Sequence, residues 1–149
     1  MAPDIVKSKD PLRDDRRTIF LVDRSESFLM YLRILLERMG FRVVPLKKGG
    51  LLKNLMQVVK PDLVLLGTAL EDMEGLSLIQ DLRKDDLSPH IPVVMICRPE
   101  DEESIRDNRI SELAGYLSRP INIFKLYKVI NDIINSIKTM CVTRYLRSR

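Results

Sequence analysis

Five short stretches rich in aliphatic and β-branched residues recur along the chain, at residues 18–22, 41–44, 63–66, 93–97 and 116–118. Their length and composition are typical of strands buried on both faces of a sheet. Each is followed by a segment in which apolar residues recur three and four positions apart, which predicts an amphipathic helix. This alternation predicts an α/β fold, a doubly wound (βα)5 flavodoxin-like domain. Its parallel five-stranded sheet has the order 2-1-3-4-5, with helices on both faces.

Capping residues and glycines mark the predicted helix ends. Ser25 or Ser27 caps the first helix, which ends at Gly40, and Asn122 caps the last helix. The glycine pair at 49–50 predicts a turn, because no Gly-x-Gly-x-x-Gly or Gly-Lys-Ser pattern surrounds it. The remaining helices are predicted near residues 51–59, 76–86 and 100–113.

Length and composition favour one cytoplasmic domain. The chain has 149 residues, of which 45% are hydrophobic, enough for one core. No apolar run reaches the roughly 18 residues of a membrane span, and the polar residues 1–17 lead us to expect no signal peptide. Cys97 and Cys141 have no metal-ligand spacing. We expect a flexible lead-in over residues 1–17, a domain over 18–137, and a helical extension or linker over 138–149.

The net charge of +4 comes from the C-terminal segment. Residues 138–149 contain no acid and four basic residues, Lys138, Arg144, Arg147 and Arg149. A basic segment of this size is more often a solvated helix end or linker than a phosphate-binding patch. We therefore expect no nucleic-acid partner, and binding of nucleic acid or nucleotide through this segment is an alternative function.

Four segments make the chain similar to a known family: FLVDRS at 20–25, PDLVLLGTALEDMEG at 61–75, IPVVMIC at 91–97 and YLSRP at 116–120. In order and spacing they resemble the receiver domain of bacterial two-component response regulators, over residues 18–136. The resemblance implies a signalling module of a two-component or phosphorelay pathway. We expect no enzymatic activity, because the sequence contains no catalytic constellation. It also implies a site at the carboxyl ends of the strands, where the family holds Mg²⁺ and phosphorylates an aspartate.

At the positions of that site, this sequence departs from the family. Two adjacent acids follow the family's first strand, where this chain has Asp23 and Arg24. Gly67 replaces the phosphate-accepting aspartate, Cys97 the threonine or serine, and Arg119 the lysine. Glycine supplies no carboxylate nucleophile, and Asp23 is the only residual ligand for Mg²⁺, which prefers oxygen ligands. We expect a crevice that is not phosphorylated and binds Mg²⁺ weakly or not at all, with Asp23 paired to Arg24 or Arg119.

Two other interpretations of this region are open. The first concerns the loop that contains Thr68, Glu71 and Asp72. Either one of these residues is an unconventional phosphate acceptor in an active phosphorelay receiver, or all three form a solvated loop. The second concerns Cys97, which is either a thiol activated by neighbouring cations or a small buried residue at a strand end.

Surface residues near the end of the chain predict protein partners. The resemblance places a partner and dimer surface on the fourth helix, fifth strand and fifth helix, where Tyr116 and Tyr127 lie. Met140 and Tyr145 continue the apolar spacing of the last helix beyond the region that the sheet covers. They predict a short coiled coil with a second copy, or a linker to an output domain. The expected partners are a kinase, an output domain or another signalling protein.

Overall fold

The structure is a computed structural model that describes residues 16–84, 91–107 and 113–147, without the side chains of residues 104, 107 and 137–147. Strands and helices alternate throughout the described residues. They are β1 (Thr18–Val22), α1 (Glu26–Arg38), β2 (Arg42–Leu46), α2 (Gly49–Met56), β3 (Leu63–Gly67), α3 (Gly75–Lys84), β4 (Val93–Cys97), α4 (Pro99–Asp107), β5 (Gly115–Ser118) and α5 (Ile123–Arg147).

The five strands form one parallel sheet in the order β2-β1-β3-β4-β5, which confirms the predicted topology. Every residue of β1, β3 and β4 is buried, as expected for the inner strands of a sheet covered on both faces. The chain order reverses between β1 and β3. The carboxyl ends of these two strands therefore form the crevice at which doubly wound sheets place their sites.

Two apolar cores lie on opposite faces of the sheet because successive strand residues point to opposite sides. Ile19 and Leu21 belong to the core that α1 and α5 cover, where Leu32 and Ile130 are buried. Phe20 and its alternate neighbours belong to the core that α2, α3 and α4 cover. The two cores hold the strand ends in fixed register around the crevice.

Local capping explains three helix ends. Of the two candidate serines, Ser25 caps α1, and its hydroxyl accepts a hydrogen bond from the backbone N–H of Phe28 at 3.3 Å. Gly40 follows α1 with a φ of 97°, a conformation that glycine adopts without steric cost. The Asn122 side chain caps α5 by accepting from the N–H of Phe124 at 2.9 Å.

Two local predictions were wrong. Gly49 and Gly50 are not a turn but the first two residues of α2, because the carboxylate of Asp72 accepts hydrogen bonds from both of their N–H groups. The second strand was predicted over residues 41–44, but β2 includes Pro45 and ends at Leu46. Proline is tolerated there because β2 is an edge strand.

The fourth helix does not reach its predicted end near residue 113, whereas the last helix extends as one of the two predicted alternatives. Residue 113 lies outside any helix, and α4 is described only as far as Asp107. The last helix, α5, continues without a break to Arg147. The side chains of Met140 and Tyr145 lie outside those described. Most of the predicted lead-in lies outside the described residues as well, so the domain boundaries stay predictions.

Across the described ranges, no helix is both long and apolar enough to span a membrane.

Candidate functional site

The parallel topology brings the predicted site residues to one edge of the sheet. Asp23 follows β1, Gly67 ends β3, and Arg119 follows β5. Asp23 is one of two buried polar residues in the described part of the chain, with an exposed fraction of 3%. An ionised carboxylate at this depth requires hydrogen-bond partners.

Asp23 obtains those partners within the chain. Its Oδ1 accepts a hydrogen bond from Nη2 of Arg119 at 2.8 Å, so the two side chains form an ion pair. Its Oδ2 accepts from the backbone N–H of Ser25 at 2.9 Å. Of the two pairings expected from the sequence, the structure contains the one with Arg119.

The Asp23 carboxylate occupies the space beside Gly67. A Cβ atom built on Gly67 would overlap Oδ1 of Asp23 and lie 3.0 Å from its Cγ. Because Arg119 and Ser25 hold Asp23 in place, that carboxylate does not yield as a flexible surface side chain would. Glycine at residue 67 is therefore required by the packing of the pocket as it stands.

Arg119 is held on a second side by an aromatic ring. Its guanidinium carbon lies 3.7 Å from the centroid of the Phe28 ring, a cation–π contact. Its Nε is buried and has no hydrogen-bond partner among the described residues. Phe28 thus belongs to the site, although the sequence predicted it only as part of the apolar face of α1.

A small cleft of about 150 Å³ opens at this edge. The residues that line it are Asp23, Arg24, Ser25, Thr68, Ala69, Arg98 and Arg119. Arg24 is exposed, and its guanidinium has no hydrogen bond or ion pair with the described residues. Arg98 was not predicted, although its position directly after β4 places it at the same sheet edge.

Cys97 was predicted to crowd this crevice, but it does not line the cleft. Its Sγ donates to the carbonyl oxygen of Leu117 at 3.4 Å, and the residue is fully buried in the core beneath α4. Burial raises the pKa of the Cys97 thiol above its ordinary value, and the charge of Glu102 raises it further. The thiol is therefore protonated at neutral pH, unlike the activated nucleophile considered above.

The loop between β3 and α3 is fixed to the start of α2. Asp72 accepts from Gly49 N–H at 2.8 Å and Gly50 N–H at 3.0 Å, and the Glu71 N–H donates to the Lys47 carbonyl at 2.9 Å. Desolvation raises the pKa of Asp72, but the Gly50 and Gly49 amides outweigh it, so the net pKa lies below the ordinary value. Asp72 thus caps a helix, and neither Asp72 nor Glu71 lines the cleft, although Thr68 does.

The residues around the cleft do not fit Mg²⁺. Asp23 supplies the one carboxylate of the lining, and both of its oxygens already accept hydrogen bonds. The guanidinium of Arg119 lies against one of them, where a cation would have to bind. No cluster of three or more metal-ligating side chains occurs among the described residues.

A larger groove of about 450 Å³ lies elsewhere, between α1, the edge strand β2 and the start of α2. Its lining includes Leu29, Met30, Pro45, Leu46 and Leu51. The groove does not share a lining residue with the cleft at Asp23.

Aromatic side chains are exposed on β5 and the first turns of α5. Tyr116 and Tyr127, which the sequence predicted on a partner surface, have exposed fractions of 39% and 56%. Ile123 and Phe124 are exposed as well, and Phe124 reaches 85%. The sequence prediction missed Phe124 and placed Ile123 on the apolar face of the helix. Tyr116, Ile123, Phe124 and Tyr127 are called the β5–α5 surface below.

Comparison with known proteins identifies the family to which this fold belongs. Residues 19–131 match the response regulator receiver domain family. The chain is 27% identical over 119 residues to the polar-differentiation response regulator DivK of Brucella anthropi, covering 78% of this chain and 94% of DivK. It is 28% identical over 116 residues to protein PilH of Pseudomonas aeruginosa, covering 78% of this chain and 96% of PilH.

Solved structures show the same fold. The signal receiver domain of a signal transduction histidine kinase from Syntrophus aciditrophicus superposes with a TM-score of 0.74 and 18% identity. The match covers 82% of this chain and 92% of that domain. The chain therefore belongs to the response regulator receiver domain family, a class of signalling modules of two-component systems.

Proposed function

We propose that this chain is a cytoplasmic receiver-family module that does not accept phosphate and does not act as an enzyme. It signals in a two-component or phosphorelay pathway through protein contacts. The observation that carries the proposal is the overlap between Asp23 Oδ1 and any Cβ placed on residue 67. An acyl phosphate requires a carboxylate at the end of β3. Here the nucleophile is missing and a neighbouring carboxylate fills its space.

The Asp23–Arg119 ion pair supports the same conclusion. Phosphoryl transfer depends on cations that neutralise the charge developing on the phosphoryl oxygens. In this pocket a guanidinium neutralises Asp23 instead, and its position is fixed by the carboxylate and by the Phe28 ring. The pair substitutes an internal cation for an exchangeable metal, and we expect Mg²⁺ binding to be weak or lost.

The β5–α5 surface supports action through a protein partner, either a kinase, an output domain or a second copy of this chain. Exposed aromatic side chains that lie near one another are typical of interaction sites. Phe124 and Tyr127 stand one helical turn apart on α5, and Tyr116 lies on the adjacent strand. A homodimer through the face of α4, β5 and α5 is the simplest use of this surface.

Incubation with acetyl phosphate and Mg²⁺, followed by intact-mass measurement, tests the loss of phosphorylation. We expect no adduct on the unmodified chain. The Gly67→Asp variant should also remain unmodified, because the restored carboxylate would collide with Asp23, which Arg119 holds in place. A receiver with an acceptor aspartate serves as the positive control for the reagent. A stable phosphoryl adduct on the unmodified chain would favour an unconventional acceptor such as Thr68 and refute the proposal.

A titration with Mg²⁺ tests the replacement of the metal. Amide resonances of Asp23, Arg24 and Ser25 should not shift at millimolar Mg²⁺ concentrations, because Asp23 has no free oxygen ligand. Saturable shifts confined to these residues would contradict the proposed role of Arg119.

A further inference from the structure

The groove between α1, the edge strand β2 and the start of α2 has a volume of about 450 Å³. That volume lies within the range of roughly 300–1,000 Å³ that is typical of ligand pockets. Of the ten residues that line the groove, five are apolar, three are basic and two are acidic. We propose that this groove binds a small monocarboxylate with an apolar body, such as a medium-chain fatty acid. The inference goes beyond the proposed function, because the groove shares no lining residue with the cleft at Asp23.

The floor of the groove is the free edge of β2, and this edge disfavours the addition of a strand. The N–H of Arg42 donates to the carbonyl oxygen of Arg17 in the chain of β1 at 2.8 Å. The carbonyl oxygen of Leu46 accepts from the N–H of Asp23 at 3.0 Å. Since alternate residues of a strand bond to the same neighbour, the backbone of Pro45 faces outward. Proline has no N–H to donate there, so an extended peptide held by backbone hydrogen bonds fits the groove poorly.

The walls of the groove leave apolar side chains uncovered. Met30 on α1 and Leu51 on α2 both line the groove, and they have exposed fractions of 61% and 49%. Leu29, Pro45 and Leu46 complete the apolar part of the lining. Because removal of apolar surface from water is favourable, a ligand gains affinity from each methylene group that it places in the groove.

The basic residues of the lining favour a negative charge on the ligand. The Lys48 ammonium forms no hydrogen bond or ion pair with the described residues. Lys47 forms an ion pair with Glu26 at 3.2 Å, and both of these residues belong to the lining. The third basic residue, Arg33, pairs with an acid outside the lining. Lys48 is therefore the available partner for a carboxylate.

The acidic residues of the lining do not cancel this preference. Glu26 is compensated by its ion pair with Lys47, and Glu71 is exposed to solvent. The three basic and two acidic residues leave a net charge of +1 on the lining. The ion pairs of Arg33 and Lys47 are themselves largely exposed, so these residues exchange partners at low cost.

The size of the groove limits the length of the ligand. About 450 Å³ is the share of roughly fifteen water-sized groups, enough for a chain of about ten carbon atoms with its carboxylate. The groove thus combines an apolar space of this length with a cation that has no partner. Together they are complementary to a single apolar chain with one negative end.

Nuclear magnetic resonance titrations of the full chain test this site. Octanoate is the first probe, butyrate tests the apolar body, and octanol tests the carboxylate. With octanoate we expect saturable shifts of the amides of Met30, Leu46, Lys48 and Leu51, and a dissociation constant on the order of 1 mM. Butyrate should bind at least roughly tenfold more weakly, because its apolar body is shorter. Octanol should bind roughly threefold more weakly, because it cannot form an ion pair.

Two variants separate the polar and apolar contributions to affinity. Lys48→Gln should weaken octanoate roughly threefold and leave octanol unchanged, since it removes only a charge. Leu51→Ser should weaken both probes roughly fivefold, since it removes apolar contact. The matched controls are Lys60→Gln and Val58→Ser, at exposed positions beyond the end of α2 that do not line the groove. Each control should alter affinity by no more than about 1.5-fold.

Four results would overturn the site. The first is a set of shifts that do not saturate, or that are equally large at Phe124 and Tyr127 of the β5–α5 surface, which would indicate general apolar association. The second is octanol binding as tightly as octanoate, and the third is equal effects of a groove variant and its control. The fourth is a shift of the groove amides with protein concentration alone, which would identify a second copy of the chain as the occupant. The intact-mass experiment does not involve the groove, so a phosphoryl adduct would refute the proposed function and leave this site standing.

Discussion

The pocket at Asp23 and the β5–α5 surface differ in whether their side chains have partners within the chain. In the pocket, Asp23 and Arg119 satisfy each other, and the absent side chain of Gly67 makes room for them. On the surface, Phe124 and Tyr127 have 85% and 56% of their area exposed and pack against little of the domain. The charged groups of the pocket are therefore satisfied within the chain, whereas the aromatic groups of the β5–α5 surface are left exposed.

The largest effect should come from breaking the ion pair in the pocket. Arg119→Gln leaves the buried Asp23 carboxylate without its cation and removes the contact with the Phe28 ring. We expect a loss of about 3 kcal/mol in the free energy of unfolding, measured in urea. Arg24→Gln is the control and should change that free energy by less than about 0.5 kcal/mol, because Arg24 is exposed. Similar losses of unfolding free energy in the two variants would show that the Asp23–Arg119 ion pair does not stabilise the pocket.

A side chain at residue 67 should have the next largest effect. Gly67→Ala places a Cβ on Oδ1 of Asp23 and should lower the free energy of unfolding by about 2 kcal/mol, as overpacking does. In Gly115→Ala, the new Cβ meets only Val129, at an ordinary distance of 3.8 Å. That control should stay within about 0.5 kcal/mol of the unmodified chain. If both alanine variants are equally stable, Asp23 moves more freely than its hydrogen bonds imply.

A smaller effect is expected at the loop that adjoins the pocket. Asp72→Ala removes the cap of α2 and should cost about 1 kcal/mol in thermal or urea unfolding. Because the pKa of Asp72 is lowered in the folded state, its contribution is present above the ordinary pKa of an aspartate. It is lost as the pH falls through the lowered value. The stability difference between the two proteins should therefore shrink in acid, and a difference that grows there would contradict the capping role.

The smallest effect on folding should come from the open surface. Phe124→Ser should change the free energy of unfolding by less than about 0.5 kcal/mol, because the ring is mostly exposed. The same change should lower the association constant of any homodimer roughly tenfold in sedimentation equilibrium. Met30→Ser, at an exposed position of α1, is the control for a general loss of surface hydrophobicity. Equal association of both variants and the unmodified chain would exclude the β5–α5 surface as the dimer contact.

Sequence patterns predicted the strands and the sheet order because the signals are local and strong. Five apolar stretches separated by amphipathic segments leave few topologies, and β1 and β4 have the predicted bounds. The helix ends were less accurate where a distant residue decides them. Gly49 and Gly50 look like a turn by composition, and only the carboxylate of Asp72 from another loop converts them into the start of a helix.

The sequence alone determined that the chain has a receiver fold and that residue 67 supplies no acceptor. Those conclusions need only periodicity, motif order and the identity of one residue. Tertiary structure decided which cation neutralises Asp23, that a phenylalanine supports that cation, and that Cys97 points into the core and away from the cleft. Side-chain partners across strand ends depend on orientation and distance between residues remote in the chain. The packing of the sheet fixes these, and no spacing in the sequence encodes them.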